Sequence, residues 1–457
     1  MKIVILGAGQ VGGTLAASLA SEQIDITIVD SDSSRLRELQ DKLDIGTVSG
    51  HAAHPDVLRQ AGLEDADMLV AVTGSDEINM VACQIAYSLY KTPTKICRIR
   101  SNSYVSEKKL FDNKAIPVDV IIAPEKLVTN HIIGLLKYPG ALQVLNFANG
   151  AVQLIAIRAN AGDKFIGKTL YDIRKMTPKQ DARVAAIFRG DRAIKPTRET
   201  EIEPLDEVFY VAAKNNILPV MKELGQLNRP YHRIMIAGGG NIGLRLAQAI
   251  EDQYQIKIIE QNPSRAEYLS ENLNKSMVLL GSSSDTELLQ SENIDRIDVF
   301  IALTNDDEAN IMSSLLAKKL GARKVITLIT NPAYVDLVQG ADIDIAFSPQ
   351  LITIGSLLTH VRRGDMAAVH SLRRGAAEAL EIIAHGDSKN SKVVGNRIDE
   401  VDLPEGVRIG AIVRDDKVLI AHRNIKIETD DHVIIFLADK AQIPAVESLF
   451  QVGLGFF

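Results

Sequence analysis

The 457-residue chain has no tryptophan, only two cysteines, few aromatic residues and no excess of positive charge. Cys83 and Cys97 cannot build a disulfide framework and lack the spacing of a zinc site, so we expect two buried small residues in a reducing compartment. The formal net charge of −7 argues against a nucleic-acid-binding protein, which normally carries a basic surface. The composition is otherwise typical of a globular protein rich in aliphatic residues.

Long apolar runs are also missing. No run approaches the ~20 residues of a membrane-spanning helix, and Met1 and Lys2 lead into an apolar strand without a signal-peptide pattern. We therefore expect a cytoplasmic protein that would reach a membrane only through a partner. The nucleophile elbow, C-x-x-C, H-E-x-x-H and P-loop lysine motifs are absent as well, which favours a binding protein over an enzyme.

The feature that is present is a glycine loop at the start of the chain. An apolar strand runs into Gly7, Gly9 and Gly12, spaced as G-x-G-x-x-G. The first glycine allows a tight turn, the second lets the backbone approach a pyrophosphate, and the third lets the helix pack on the strand. The following helix begins near Gln10 and Val11 and would offer its free N–H groups to phosphates. A second apolar strand ends in Asp30, where a carboxylate usually accepts from ribose hydroxyls.

This stretch occurs twice, because the two halves of the chain align with an offset near 231 residues. Glu260 takes the position of Asp30, and the second loop carries Gly238, Gly240, Asn241, Ile242 and Gly243. The alternative is a glycine turn that only packs a helix on a sheet, and the duplication argues against it.

Apolar runs in the first half alternate with helical patterns, which predicts a doubly wound parallel sheet. The predicted strands are 2–6, 24–29, 45–49, 68–73, 95–100 and 118–122. Short alternating strands at 153–158, 183–189 and 208–212 then indicate a small α+β module that ends in a helix at 217–224. Both patterns recur in the second half, with the module segments at 378–384, 408–413, 432–437 and 445–450. We predict four domains: two Rossmann-like nucleotide-binding domains at 1–140 and 229–365, each followed by a module, at 141–228 and 366–457.

Further candidate ligand contacts follow the strands of each predicted parallel sheet. Thr73 and its counterpart Thr304 end a strand beside the glycine loop, where ribose or phosphate would lie. Helix capping by the next residues, Ser75 or Asp76, is an equally good explanation of that segment. Gly50 and His51 should flank an adenine, and Gly281 matches Gly50.

Arg98 and Arg100 lie two residues apart on a predicted strand, so both should point to one face. Two buried guanidinium groups are costly unless anions meet them. Ligand phosphates or Glu125 could supply these anions. The alternative is that the two arginines mark a subunit contact or the edge of the sheet. The second half has Leu328, Thr330 and Gln350 in the corresponding positions. The first site therefore suits a more highly charged phosphate chain.

The motifs G-A-G-Q-V-G, V-S-G-H-A and V-T-G-S-D-E-I-N-M resemble those of the RCK (regulating conductance of potassium) domain family. The tandem order is similar to that of the peripheral regulatory subunits of Trk potassium uptake systems. The resemblance implies NAD(H) and ATP/ADP as ligands, at sites that include the residues named above. It also implies crossover helices exchanged between nucleotide domains and a homotetrameric ring of eight such domains. The ring would sit beneath a TrkH-type membrane potassium-translocating subunit, at the inner face of the cell membrane. Residues 50–53 of this chain read Gly-His-Ala-Ala, whereas many RCK domains have Gly-Asp-Ala-Thr at the matching positions.

We therefore expect a nucleotide-sensing regulatory subunit. An NAD-dependent oxidoreductase and a soluble RCK-like sensor without a membrane partner remain alternatives at this stage.

Overall fold

The computed structural model describes residues 1–20, 24–112, 114–176, 181–190, 192–225, 229–338, 342–362, 365–372, 377–422 and 424–452. Within these ranges the chain forms two six-stranded parallel sheets that alternate with two five-stranded antiparallel sheets. The predicted α/β class with two small α+β modules is confirmed. The ends of the two predicted modules, residues 226–228 and 453–457, lie outside the described residues.

The first parallel sheet has the strand order β3-β2-β1-β4-β5-β6. Its strands are β1 (Lys2–Leu6), β2 (Asp25–Asp30), β3 (Gly46–Ser49), β4 (Met68–Ala71), β5 (Thr94–Arg98) and β6 (Val120–Ile122). Its helices are α1 (Gln10–Ala20), α2 (Ser33–Gln40), α3 (Pro55–Gln60), α4 (Asp76–Ile85), α5 (Asn102–Ser106) and α6 (Pro124–Lys137). The connections reverse direction between β1 and β4, and ligands of such sheets bind above the carboxyl ends of the strands at this point.

The first antiparallel sheet has the order β10-β9-β11-β8-β7. Its elements are β7 (Ala141–Phe147), β8 (Val152–Arg158), α7 (Leu170–Met176), β9 (Ala182–Arg189), β10 (Arg192–Ile194), β11 (Glu207–Ala213) and α8 (Lys214–Glu223). The sequence predicted the three central strands and missed both edge strands, β7 and β10.

The second half repeats both sheets. The parallel sheet has the order β14-β13-β12-β15-β16-β17. Its strands are β12 (Arg233–Ala237), β13 (Gln255–Glu260), β14 (Met277–Leu280), β15 (Val299–Ala302), β16 (Lys324–Leu328) and β17 (Ile345–Phe347). The helices that accompany it are α9 (Asn241–Ile250), α10 (Pro263–Asn272), α11 (Thr286–Ser291), α12 (Asp307–Lys319), α13 (Pro332–Val338) and α14 (Pro349–Val361). The antiparallel sheet has the order β18-β19-β22-β20-β21. Its strands are β18 (Met366–Leu372), β19 (Ala377–Ile383), β20 (Val407–Arg414), β21 (Lys417–Ile420) and β22 (His432–Leu437), and helix α15 (Ile443–Phe450) follows them. The two antiparallel sheets share one core, to which Phe147, Phe209 and Phe436 contribute.

The chain divides into two compact units, and the division cuts both α6 and α14. The first unit comprises residues 1–127 and 350–357, and the second comprises 128–349 and 358–457. Residues 128–137 of α6 therefore fall in the second unit, and residues 350–357 of α14 fall in the first. The exchange of crossover helices between nucleotide domains stays a prediction. Among the described residues no helix is long and apolar enough to cross a bilayer.

Candidate functional site

The first glycine loop has the geometry predicted for each of its glycines. Gly7 has φ +102°, and a Cβ atom there would lie 3.1 Å from the Cα atom of Thr73. A Cβ atom on Gly12 would lie 1.9 Å from the carbonyl oxygen of Gly7, so only glycine fits beneath the loop. No atom lies within 4 Å of a Cβ atom built on Gly9. The space above Gly9 is open, as the approach of a pyrophosphate requires.

The second glycine loop repeats these features closely. Gly238 also has φ +102°, and a Cβ atom on Gly243 would lie 2.1 Å from the carbonyl oxygen of Gly238. The space above Gly240 is open in the same way. The chain thus contains two similar glycine cradles, Gly7–Gly12 and Gly238–Gly243, one in each compact unit.

A helix begins directly after each cradle. The first hydrogen bond of α1 joins Gly13 N to Gly9 O at 2.8 Å, and that of α9 joins Leu244 N to Gly240 O at 2.9 Å. The backbone N–H groups before these bonds have no acceptor within their own helix. They belong to the predicted contacts Gln10, Val11, Asn241 and Ile242. Such groups and the positive end of the helix dipole favour a phosphate.

The two predicted acids lie against the glycine loops. Asp30 accepts from the backbone N–H of Ala8 at 2.6 Å, and Glu260 accepts from that of Gly239 at 2.9 Å. The second oxygen of each carboxylate accepts from the backbone two residues further on, at 2.8 Å in both cases. Each oxygen keeps a second lone pair, so both acids can still accept from a ribose hydroxyl.

Gly50 and Gly281 follow the edge strands β3 and β14. Their backbone N–H groups donate to the carbonyl oxygens of Asp30 and Glu260, at 2.9 and 3.0 Å. They therefore lie on the acid side of each site, where adenosine would bind. His51 is exposed, and its ring centroid is 4.6 Å from that of His54. Stacking of His51 on adenine stays a prediction.

Both predicted threonines, Thr73 and Thr304, take part in a buried amide network that was not predicted from the sequence. Asn79, which is fully buried, accepts from Thr73 N at 3.0 Å and from Thr73 Oγ1 at 2.7 Å. Its Nδ2 atom donates to the carbonyl oxygen of Arg98 at 3.0 Å and so links β4 to β5. Asn310 makes the same contacts with Thr304 in the second half. The repeated D-E-x-N pattern was the available indication of this role.

Asp76 and Asp307, in the same repeated pattern, hold the backbone that follows the next strand. Both carboxylate oxygens of Asp76 accept from the backbone N–H of Arg100 at 3.0 Å. Asp307 does the same for Thr330. Capping of α4 belongs to Ser75, whose hydroxyl accepts from Ile78 N at 3.3 Å. Capping and a threonine contact beside the glycine loop are therefore compatible.

The prediction that Arg98 and Arg100 share a buried strand face is wrong for Arg100. Strand β5 ends at Arg98, and the side chain of Arg100 is 45 % exposed, with its Nε atom donating to Glu125 Oε1 at 3.0 Å. Strand β6, which pairs with β5, has only three residues, so no partner extends the ladder to Arg100.

Arg98 is the guanidinium that is partly buried. Its Nε atom is buried and has no hydrogen-bond partner within the described part of the chain. Burial lowers the pKa of Arg98, the charge of Arg100 lowers it further, and Glu125 and Asp76 oppose the shift. A ligand phosphate would supply the missing acceptor. In the second site Leu328 ends β16 at the corresponding position and offers no such donor. The different ligand preference of the two sites stays a prediction.

Gln350 lies in an unexpected place. The sequence alignment paired it with Glu125 and so placed it in the second site. The structure places residues 350–357 in the first unit, where the Gln350 amide donates to the side chain of Gln10. The first glycine loop is therefore contacted by a residue from the second half of the chain.

Family models match most of this architecture. The TrkA-N domain matches residues 3–124 and 234–349, and the TrkA-C domain matches residues 154–225 and 388–451. The chain is also 59 % identical over 457 residues to the Trk system potassium uptake protein TrkA of Halomonas elongata, and the match covers all of both chains. The chain belongs to the TrkA family.

Other TrkA proteins are similar over nearly the whole length. That of Vibrio alginolyticus is 59 % identical over 452 residues, and that of Haemophilus influenzae is 50 % identical over 452 residues, each covering 99 % of both chains. The TrkA-N and TrkA-C matches fall within the four predicted domains, whose exact limits stay a prediction.

Solved structures support the TrkA-family fold. The crystal structure of the GsuK RCK domain aligns with a TM-score of 0.61 at 19 % identity, covering 98 % of this chain and 94 % of that one. The GsuK channel bound to NAD aligns with the same TM-score, covering 98 % of this chain and 78 % of the channel. At this identity the likeness shows the fold alone.

Proposed function

We propose that the chain is a cytoplasmic, nucleotide-sensing regulatory subunit of a Trk-type potassium uptake system and has no catalytic activity. The observation that carries the proposal is the pair of glycine cradles, each open above its second glycine, in a chain of the TrkA family. A homotetramer would join eight nucleotide domains in a ring at the inner face of the membrane. The partner would be a TrkH-type potassium-translocating subunit.

Both sites would bind NAD(H). The loop glycines, the helix N-termini and the acids Asp30 and Glu260 fit a dinucleotide, and the relative GsuK channel was solved with NAD. The first site would also bind ATP or ADP, because Arg98 and Arg100 lie at the end of β5 and can meet additional phosphate charge. NADP(H) should bind the first site more weakly, since its 2′-phosphate would meet Asp30.

Regulation would follow from different affinities of a ligand for two shapes of the ring. Helix α14 is suited to respond, because Gln350 contacts the first glycine loop while residues 358–361 belong to the second unit. A ligand that alters the Gln10–Gln350 contact would act on both units through one helix.

The test is calorimetric titration of NADH, NAD, ATP and ADP with the wild type, Gly9→Val and Gly240→Val. The valine side chain at either position meets open space in the protein and would occupy the pyrophosphate position. Each variant should lose one site and keep the other, so each serves as the control for the other. Unchanged stoichiometry and affinity in Gly9→Val would contradict the assignment of the first site.

Two further measurements separate this proposal from the alternatives. Sustained oxidation of NADH with candidate substrates would favour an oxidoreductase. Binding should also be titrated with the purified membrane subunit present, where the nucleotide affinities should change. Identical affinities, together with failure to co-purify with membranes, would favour a soluble sensor.

A further inference from the structure

The two sites differ at the end where adenosine would bind. Between the acid and the next arginine, residues 30–35 read D-S-D-S-S-R and residues 260–265 read E-Q-N-P-S-R. The first segment has two acids and one arginine, whereas the second has one of each. The second site therefore carries one negative charge fewer next to the ribose position.

The arginines of these two segments have different partners. Arg35 is 58 % exposed, and its Nε atom lies 3.3 Å from the Asp32 carboxylate, which also caps α2. Asn262 replaces this acid in the second half and caps α10 by accepting from the backbone N–H of Arg265. A neutral amide does not hold the guanidinium as a carboxylate does.

Arg265 turns to the glycine loop instead. Its Nε atom donates to the carbonyl oxygen of Gly239 at 2.7 Å, while the N–H of the same glycine donates to Glu260 at 2.9 Å. The arginine and the ribose-side acid are thus attached to one residue of the loop. The guanidinium also lies over the ring of Tyr268, 4.8 Å from its centroid.

The guanidinium of Arg265 is incompletely satisfied. Its Nη2 atom is buried and lacks a hydrogen-bond partner in the part of the chain that the structure describes. A buried donor without an acceptor is unfavourable, and an anionic ligand oxygen would provide the strongest replacement.

We propose that Arg265 determines specificity in the second site by reading a phosphate on the adenosine ribose. An arginine near the ribose-side acid is the feature that accommodates a 2′-phosphate in dinucleotide sites of this fold. In the second site Arg265 would offset the charge of Glu260, which lies where Asp30 lies in the first site, so the second site would accept 2′-phosphorylated dinucleotides of the NADP(H) type. In the first site Asp30 and Asp32 disfavour them. The inference rests on the proposed function, since it requires that both glycine loops bind dinucleotides.

The experiment measures NADH and NADPH binding at each site separately through the fluorescence of the reduced nicotinamide. Gly9→Val isolates the second site, and Gly240→Val isolates the first. The ratio of the NADPH to the NADH dissociation constant should be at least about tenfold smaller at the second site, the effect of one charge-assisted contact. Equal ratios at the two sites would overturn the proposal.

Arg265→Ala in the Gly9→Val background should raise the NADPH dissociation constant roughly ten- to a hundredfold and change NADH binding much less. Arg265→Lys should keep part of the NADPH affinity, because the charge remains and the planar fork is lost. Arg35→Ala in the Gly240→Val background is the matched control and should leave the first-site ratio nearly unchanged.

Equal losses of NADH and NADPH in Arg265→Ala would mean that the arginine only supports the glycine loop, and the proposal would fail. NADH binding without NADPH binding at the second site would also overturn it and leave the proposed function intact. Binding of neither nucleotide in Gly9→Val would instead contradict the second dinucleotide site itself, and this inference with it.

Discussion

Replacing Asn79 with alanine should loosen the first nucleotide site from within the protein. The Asn79 side chain is fully buried and accepts from Thr73 N at 3.0 Å and from the Thr73 hydroxyl at 2.7 Å. It also donates to the Arg98 carbonyl oxygen at 3.0 Å. The substitution leaves a buried backbone N–H and a carbonyl without these partners, each at a cost of about 1–3 kcal/mol. We expect a total loss of about 2–6 kcal/mol in the local opening free energy.

The assay is hydrogen exchange followed by mass spectrometry on the full chain. A global unfolding curve is unsuitable, because a chain with several domains does not unfold in one step. Peptides that cover residues 68–98 should exchange at least roughly thirtyfold faster in Asn79→Ala, since 1.4 kcal/mol corresponds to a factor of ten. Nucleotide affinity at the first site should fall too, because Thr73 lies against Gly7.

The second half of the chain provides the matched control. Asn310 makes the equivalent contacts to Thr304 and to the carbonyl oxygen of Leu328. Asn310→Ala should speed exchange in residues 299–328 and leave residues 68–98 unchanged. A change of less than threefold in Asn79→Ala, or the same change in both halves, would refute the reasoning, because water would then have replaced the amide.

Two other variants probe charge and pH. Arg100→Ala, in a Gly240→Val background, should weaken ATP binding by roughly tenfold and NADH binding less, because the exposed guanidinium can reach only the extra phosphate charge of ATP. Equal losses of ATP and NADH affinity in calorimetry would mean that Arg100 has a structural role. Burial, with a smaller contribution from His370, lowers the pKa of His131 to about 4. The unfolded state then binds more protons between pH 6.5 and 4, so the stability of the second unit should fall as the pH drops through that window. His131→Leu should flatten this dependence when hydrogen exchange of peptides from α6 is compared with the wild type at each pH, and an unchanged pH profile would show that His131 is not the group responsible.

The missed strands and the misplaced strand end share a physical cause. All four strands that the sequence did not predict, β7, β10, β18 and β21, lie at the edges of the antiparallel sheets. An edge strand pairs on one side only and need not be apolar throughout, so its pattern is weak. Strand β5 was predicted to reach residue 100 but ends at Arg98, because its neighbour β6 is too short to extend the hydrogen-bond ladder further.

The amino-acid sequence by itself determined the features that depend on local geometry and on repetition. Gly7 needs a positive φ, Gly12 leaves no room for a side chain, and both facts follow from the G-x-G-x-x-G spacing after a strand. The acids, the alternation of strands and helices in each nucleotide domain and the duplication could be predicted for the same reason.

The tertiary structure alone decided which distant residues meet at each site. Asn79 joins two strands through an amide, Arg265 folds back on Gly239, and Gln350 reaches Gln10 from 340 residues away. These contacts depend on where strands end and on the packing of residues 350–357 in the same compact unit as residues 1–127. No local spacing encodes them, because each is set by packing between segments that are far apart in the chain.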